Sequence, residues 1–199
     1  MTNDDGLPIE VDDLMLRRLE YSDATDLFEI YSNPDVARYQ FFTPWTMEQV
    51  EQFVYSQSDV FVGDPGVPFV LVAVLLAEKK VIGDCQITIN SVQDRQGEIG
   101  FTFNPLFSGH GFATKTVHAA LGYGFTRLNL HRIIAGVDAR NEQSWRLMER
   151  VGMRREAHFV HANLVEGKWI DDYIYAMLED EWKEPSTAGW PEPIDRSVG

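Results

Sequence analysis

The sequence predicts a single α/β (α+β) domain built on a mixed sheet with helices on its faces. Short apolar runs rich in β-branched residues alternate with longer helical patterns, and neither an internal repeat nor a low-complexity linker divides the chain. A chain of 199 residues, 44% of them hydrophobic, is long enough to bury one core. The order of the elements argues against a purely parallel, doubly wound sheet.

The first elements are one strand and one helix. Residues 14–19 form a short apolar run typical of a strand, and Ser22 or Asp23 is placed to cap the helix that follows. The pair Asn33-Pro34 ends this helix, because a residue that precedes proline avoids the helical conformation.

A second helix and three strands come next. Thr46 and Gln49 have the spacing of a capping box at the start of the helix. The apolar runs at residues 69–76 and 81–89 predict a hairpin, and residues 98–103 predict another strand after a turn.

The second half of the chain predicts two helices and three strands. A long helix follows a glycine-rich run, residues 133–137 form a buried strand, and residues 141–151 form a helix that ends at Gly152. Residues 155–161 and 170–178 predict two closing strands. The expected architecture is therefore a mixed, mostly antiparallel seven-stranded sheet flanked by about four helices.

Composition restricts the kinds of partner. The formal net charge of −14 argues against nucleic acid, since phosphate backbones are bound by clusters of Lys and Arg. No apolar run reaches the length of a membrane helix, and the first residues lack the pattern of a signal peptide, so we expect a cytoplasmic protein. The lone Cys85 is expected to be a small buried hydrophobe. His158 and His161 lie three apart in a predicted strand and so on opposite faces, and we expect no metal site.

Residues 97–116 carry the strongest chemical signal. A strand with one carboxylate, Glu98, leads through a proline-containing loop into the run SGHGFAT and then into a helical pattern. Small residues ahead of a helix leave backbone N–H groups free to bind an anion, usually a phosphate. The run lacks the third glycine of GxGxxG and the glycine before the lysine of GxxxxGK[ST], which disfavours both motifs. From these residues alone, a tight turn without a ligand remains an alternative.

The run at residues 108–113 resembles the Q/R-x-x-G-x-G/A loop with which GCN5-related N-acetyltransferases (GNAT) bind the pyrophosphate of acyl-CoA. The segments around it are similar to the RimJ/RimL-type ribosomal-protein N-terminal acetyltransferases, namely residues 98–101, 105, 141–144, 149–153 and 167–172. The similarity follows the order of elements over residues 13–182, which we expect to be the GNAT domain, with poorly structured ends at residues 1–12 and 185–199.

Two positions depart from the superfamily pattern. Ser108 stands where Gln or Arg is usual, so one side-chain contact to phosphate is missing. Met148 stands where many members have a tyrosine that protonates the leaving thiolate. The RimJ/RimL subgroup commonly has a serine three residues after the asparagine instead, and Ser144 supplies it.

The resemblance implies acetyl-CoA as the co-substrate, without a metal, and a direct attack on it by an amine. It implies Glu98 as the general base, acting directly or through a water, and partial burial would suit it to that role. It implies Ser144 as the acid for the thiolate and a backbone N–H of residues 98–103 as the oxyanion donor. Asn141 is expected to bind the pantetheine arm and also to cap its helix. The residues implied to bind the co-substrate are Phe101, Phe103, Ser108, Gly109, His110, Gly111, Phe112, Ala113, Thr114, Asn141 and Ser144.

The acceptor implied by the resemblance is the primary amine of a small molecule or the N-terminal amine of a peptide, held by residues 33–45 and the last strands. The acidic composition favours a cationic amine. The aromatic residues of these segments are explained equally well by an aromatic pocket for the acceptor and by ordinary core packing. They are Tyr39, Phe41, Phe42, Trp45 and Trp169. A non-catalytic acyl-CoA sensor and an enzyme that uses succinyl-CoA or another donor are alternatives, and the resemblance is compatible with a homodimer.

Overall fold

The structure is a computed structural model that describes residues 5–40, 43–57, 60–165 and 167–183. These residues form eight strands and five α-helices. In chain order they are β1 (Ile9–Val11), β2 (Leu14–Arg18), α1 (Ala24–Tyr31), α2 (Pro34–Ala37), α3 (Met47–Gln57), β3 (Phe69–Leu75), β4 (Lys80–Ser91), β5 (Gln96–Phe103), α4 (Phe112–Thr126), β6 (Arg132–Asp138), α5 (Glu142–Arg150), β7 (Arg154–Val165) and β8 (Lys168–Leu178).

Eight strands form one sheet in the order β1-β2-β3-β4-β5-β6-β8-β7. Neighbouring strands are antiparallel except for β5 and β6, which are parallel. The predicted α/β class with a mixed, mostly antiparallel sheet is confirmed, but the predicted number of seven strands is wrong. The additional strand is β1, which pairs with β2 and buries Ile9. The expectation of an irregular segment at residues 1–12 is therefore wrong for β1, whereas residues 185–199 lie outside the described part of the chain.

The pair Asn33-Pro34 ends α1 and also starts α2. The Asn33 side chain accepts a hydrogen bond from the N–H of Asp35 at 2.9 Å, and Pro34 occupies the first turn. Proline fits there because its missing N–H has no partner in a first turn anyway. The short helix α2 was not predicted, and it places residues 35–40 beside the site described below.

The helices lie on both faces of the sheet. On one face, Ile99 of β5 belongs to the same hydrophobic cluster as Val117 and Leu121 of α4 and residues of α5. On the opposite face, a second cluster joins α1 and α3 to the sheet. Because side chains alternate along a strand, Glu98, Gly100 and Thr102 face the α1 side of β5. No helix in the described part of the chain is long and apolar enough to cross a membrane.

Candidate active site

A cleft of about 840 Å³ opens beside the C-terminal end of β5. Its walls come from the end of β5, the loop that follows, the first turn of α4, helix α5 and residues 35–40. This volume falls in the range of small-molecule sites. The cleft brings together most of the predicted site residues, namely Phe101, Phe103, Ser108, Gly109, Gly111, Phe112, Ala113, Thr114, Asn141 and Ser144. Glu98 and His110 are not among its lining residues.

The sheet splits at the floor of this site. Strands β5 and β6 pair only at residues 96–98 and 132–134, and the last pair is Glu98↔Ile134. Beyond that pair, β5 runs to Phe103 and β6 to Asp138 without pairing to each other. The backbone of β5 on this side is thus open to a partner other than β6.

Two hydrogen bonds show which way the β5 backbone points. The N–H of Asn104 donates to the carbonyl of Ile82 at 2.9 Å, on the β4 side. The Nε2 of Gln40 donates to the carbonyl of Phe101 at 3.3 Å, on the other side. Because these groups alternate along a strand, the N–H groups of Phe101 and Phe103 face the gap between β5 and β6.

The glycine-rich loop has a backbone shape that only glycine adopts readily. Gly109 and Gly111 have φ of +84° and +80°, and a Cβ at either position would meet no atom of the described residues within 4 Å. Glycine is therefore required here by conformation and not by crowding from the protein. Gly111 caps α4 without a side-chain hydrogen bond. The first N–H groups of this 15-residue helix thus point outward at its positive end.

Arginines of α5 face this loop. Arg146 and Arg150 line the cleft, and Nη1 of Arg150 donates to Oγ1 of Thr114 at 3.2 Å. Lys115 instead pairs with Asp12 at 3.0 Å and Asp13 at 2.9 Å, and its hydrogen bond to Asp13 lowers the pKa of that carboxyl. The cationic side of the cleft therefore depends on α5, a contribution that the glycine motif by itself did not predict.

The residues at the start of α5 cap this helix and also line the cleft. The Asn141 side chain accepts a hydrogen bond from the N–H of Ser144 at 3.1 Å, which confirms the capping role, and both residues line the cleft. Ser144 is half-buried. Met148 is 2% exposed and has no proton to give, so Ser144 is the hydroxyl that α5 offers on this wall.

Glu98 lies at the point where β5 and β6 separate, but its side chain is exposed. The partial burial that would have suited it to the role of a base is not found. His110 is also exposed, and its ring stacks on Phe112 at 5.5 Å between centroids. Of the predicted aromatic set, Tyr39 lines the cleft, Trp45 stacks on Tyr31 at 4.4 Å, Trp169 is 59% exposed, and Phe41 and Phe42 lie outside the described residues.

The structure adds polar residues that sequence reasoning missed. Asn104 is 3% exposed and lines the cleft, and its Nδ2 has no hydrogen-bond partner in the described part of the chain. Gln40 and Thr102 line the cleft as well, and behind them lies the fully buried Asp84. These residues come from distant parts of the sequence, so no local motif signals their proximity.

Comparison with known proteins identifies the family of the chain. Residues 13–154 match the acetyltransferase (GNAT) domain family. The chain is 34% identical over 169 residues to the uncharacterized N-acetyltransferase YnaD of Bacillus subtilis, covering 85% of this chain and 95% of that one. A crystal structure of a GNAT-family acetyltransferase from Bacillus anthracis has a TM-score of 0.77 and 32% identity, covering 88% of this chain and 100% of that one.

A solved complex is also similar. The spermidine N-acetyltransferase of Vibrio cholerae, solved with CoA and spermine, has a TM-score of 0.75 and 26% identity over 86% of this chain and 99% of that one. The match to the family covers more than half of the chain. It includes the split between β5 and β6 and the glycine loop. The chain therefore belongs to the GNAT family and is an N-acetyltransferase.

Proposed function

We propose that this enzyme transfers an acetyl group from acetyl-CoA to a primary amine by direct attack, without a covalent enzyme intermediate. The observation that carries the proposal is the convergence of three features on one cleft: the glycine loop, the open backbone of β5, and Asn141 with Ser144. Each feature corresponds to one part of an acyl-CoA molecule.

The residues fit the co-substrate in size and chemistry. The outward N–H groups at the start of α4, with Arg146 and Arg150, suit the pyrophosphate. The N–H groups of Phe101 and Phe103 suit the amide carbonyls of the pantetheine arm, which adds to β5 as a strand would. The buried amide of Asn104 offers a further donor to the same ligand.

The transfer requires a neutral amine, a stabilised oxyanion and a proton for the thiolate. We assign the first task to Glu98, which stands where the strands separate, at the end of the open backbone. A backbone N–H of β5 stabilises the oxyanion that forms at the thioester carbonyl. The hydroxyl of Ser144 donates a hydrogen bond to the departing thiolate and passes its proton to it, while solvent returns a proton to the serine oxygen.

The acceptor in this proposal is a cationic amine, either a small polyamine-like molecule or the N-terminus of a peptide. The formal net charge of −14 favours such acceptors. The similar Vibrio cholerae structure is of a spermidine N-acetyltransferase, which supports the first class. The serine at position 144 and the methionine at position 148 follow the RimJ/RimL pattern, which supports the second. A homodimer and a cytoplasmic location complete the proposal.

The test measures CoA binding and turnover separately. Acetyl-CoA should raise the melting temperature, since a ligand that binds only the folded state stabilises it. Release of the CoA thiol should then be followed with spermidine, an alanine-initiated peptide and a simple monoamine. Stabilisation without thiol release from any amine would identify a sensor and contradict acyl transfer. Faster release from succinyl-CoA than from acetyl-CoA would contradict the proposed donor.

A further inference from the structure

A buried polar network lies between α1 and the β4-β5 pair, behind the cleft. The hydroxyl of Tyr31 donates to Oδ2 of Asp84 at 3.0 Å, and Nε2 of Gln86 contacts both Oδ1 of Asp84 and the Tyr31 hydroxyl at 3.3 Å. Burial raises the pKa of Tyr31 well above its usual value, and the neighbouring hydroxyl of Thr102 acts in the opposite direction. Thr102 stands opposite Asp84 in the strand register and lines the cleft. The network thus connects a fully buried carboxylate to the site of the reaction.

The number of donors fixes the direction of these hydrogen bonds. A carboxylate only accepts, so the single proton of the Tyr31 hydroxyl points at Asp84. A hydrogen bond between Tyr31 and Thr102 must then use the proton of Thr102. With that bond formed, the hydroxyl protons of Thr102 and Tyr31 are aligned from the cleft towards Asp84.

The Thr102 oxygen, at the cleft end of this network, can accept a hydrogen bond from one more donor. The oxygen of Thr102 has two lone pairs, and Nε2 of Gln40 uses one of them at 3.4 Å. The neighbouring residue on the same face of β5 is Gly100, where a Cβ would meet no atom of the described residues within 4 Å. An N–H donor can therefore approach Thr102 over Gly100 without a side chain of the described residues in its way.

Asp84 is suited to taking up a proton near neutral pH. It is 0% exposed and makes no ion pair with any described residue, so burial raises its pKa to about 7. The titratable groups that face it are Tyr31 of α1 and Cys85 of its own strand, and burial raises the pKa of each well above its usual value. The adjacent strands present the uncharged Val72 and Thr102, and Asp35 and Arg38 stand across the cleft on the α2 side.

We propose that Asp84 is the terminal proton acceptor of a relay that runs from the attacking amine through Thr102 and Tyr31. This inference rests on the proposed acyl transfer. As the nitrogen attacks the thioester, its N–H bond breaks and the proton passes to Oγ1 of Thr102. Thr102 gives its own proton to Tyr31, and Tyr31 gives its proton to Oδ2 of Asp84. The carboxylate becomes a neutral acid, the nitrogen keeps the electron pair, and both hydroxyl groups end as they began.

The relay complements Glu98. Glu98, Gly100 and Thr102 alternate along one face of β5, so Glu98 and Thr102 are separated by roughly 13 Å along the strand, with Gly100 midway. An ammonium acceptor loses two protons on its way to an amide. The exposed Glu98 passes the first proton to solvent, and the buried Asp84 holds the second until the product leaves.

The test compares the pH dependence of kcat in four variants. Asp84→Asn keeps the size of the side chain but cannot take up the proton, and Thr102→Val keeps the shape but removes the hydroxyl. Thr102→Ser restores the hydroxyl and is the rescue variant. Asp26→Asn is the matched control, because that carboxylate also lies between α1 and β4 but is paired with Lys80 at 3.1 Å. The affinity for CoA is measured in each variant.

The wild type should lose activity as the pH falls through about 7, because a protonated Asp84 accepts nothing. Asp84→Asn and Thr102→Val should lose this acid limb and at least 10-fold in kcat at pH 8, with unchanged CoA affinity, whereas Thr102→Ser and Asp26→Asn should keep the limb. An acid limb near pH 7 that persists in Thr102→Val would overturn the relay and leave acyl transfer standing. Absence of thiol release by the wild type with every amine would overturn both.

Discussion

The donor side and the acceptor side of the cleft are built in different ways. The donor side that we propose depends on the main chain: two glycines with positive φ, the N-terminus of α4 and the β5 backbone that does not pair with β6. The proposed acceptor side depends on side chains that α1, β4 and β5 bring together: Tyr31 donates to Asp84, and Thr102 stands opposite Asp84 in the strand register. In this proposal, recognition of the co-substrate is encoded in short segments, whereas the chemistry of the amine depends on long-range packing.

The largest effect should come from Glu98→Gln, which removes the proposed base at the junction of the two sides. We expect kcat to fall by about 100-fold or more, because general-base catalysis contributes on that order. The affinity for acetyl-CoA should change little, since Glu98 does not line the cleft. Steady-state kinetics with a titration of CoA binding measures both quantities. Glu10→Gln, an exposed carboxylate on β1, is the control, and a kcat like that of the control would remove Glu98 from the mechanism.

Asp84→Asn, a change on the acceptor side, should alter the free energy of unfolding as well as kcat. The folded state raises the pKa of Asp84 from 3.8 to about 7, so folding binds a proton and the wild type loses stability as the pH rises through that interval. Asparagine does not titrate. The stability of Asp84→Asn relative to the wild type should therefore be greater by about 2 kcal/mol at pH 8 than at pH 5.5. Urea unfolding at the two pH values measures it, and a difference independent of pH would show that Asp84 is ionised throughout.

The donor side is best tested by Gly111→Val. A β-branched side chain strains the left-handed conformation at φ +80°, at a cost of about 1–2 kcal/mol or more, and the loop must change shape to relieve it. We expect the Kd for CoA to rise about 10-fold or more, without a shift of the acid limb assigned to Asp84. Calorimetric titration measures the affinity. His110→Ala is the neighbouring control, since that ring is exposed and outside the cleft, and equal effects of the two variants would argue against a specific role for the glycine.

The sequence predicted the fold well where a signal is local. The capping box at Thr46 and Gln49 forms both of its hydrogen bonds, at 2.8 and 3.3 Å, and the hairpin of β3 and β4 begins and ends within a few residues of its predicted bounds. Strand β1 was missed because three residues are too few to show alternation. Helix α2 was missed because Asn33-Pro34 signals both an end and a start, and only the former was considered.

The residues of the candidate site also divide into those that a local motif predicts and those that only the structure shows. The glycine loop, Asn141 and Ser144 were predicted from motifs, and all of them line one cleft except His110. Asp84 lies in an apolar strand with no motif around it, and nothing in the sequence shows that Tyr31 and Thr102 reach it. The exposure of Glu98 was equally unpredictable, since it depends on how α1 and α3 cover the sheet. Buried polar networks depend on tertiary contacts, so they are visible only in the structure.

The smallest expected effect belongs to Ser144→Ala, at the boundary between cofactor binding and catalysis. A thiolate is already a good leaving group, because thiols have pKa values of roughly 8–9, so losing its proton donor should lower kcat by only about 3- to 10-fold. The cap of α5 should survive, since Asn141 accepts from the backbone N–H of residue 144, which alanine retains. The melting temperature and the affinity for CoA should therefore match those of the wild type while kcat falls. A wild-type kcat would restrict Ser144 to its place in the helix, and a fall in CoA affinity without a fall in kcat would assign it to the donor side alone.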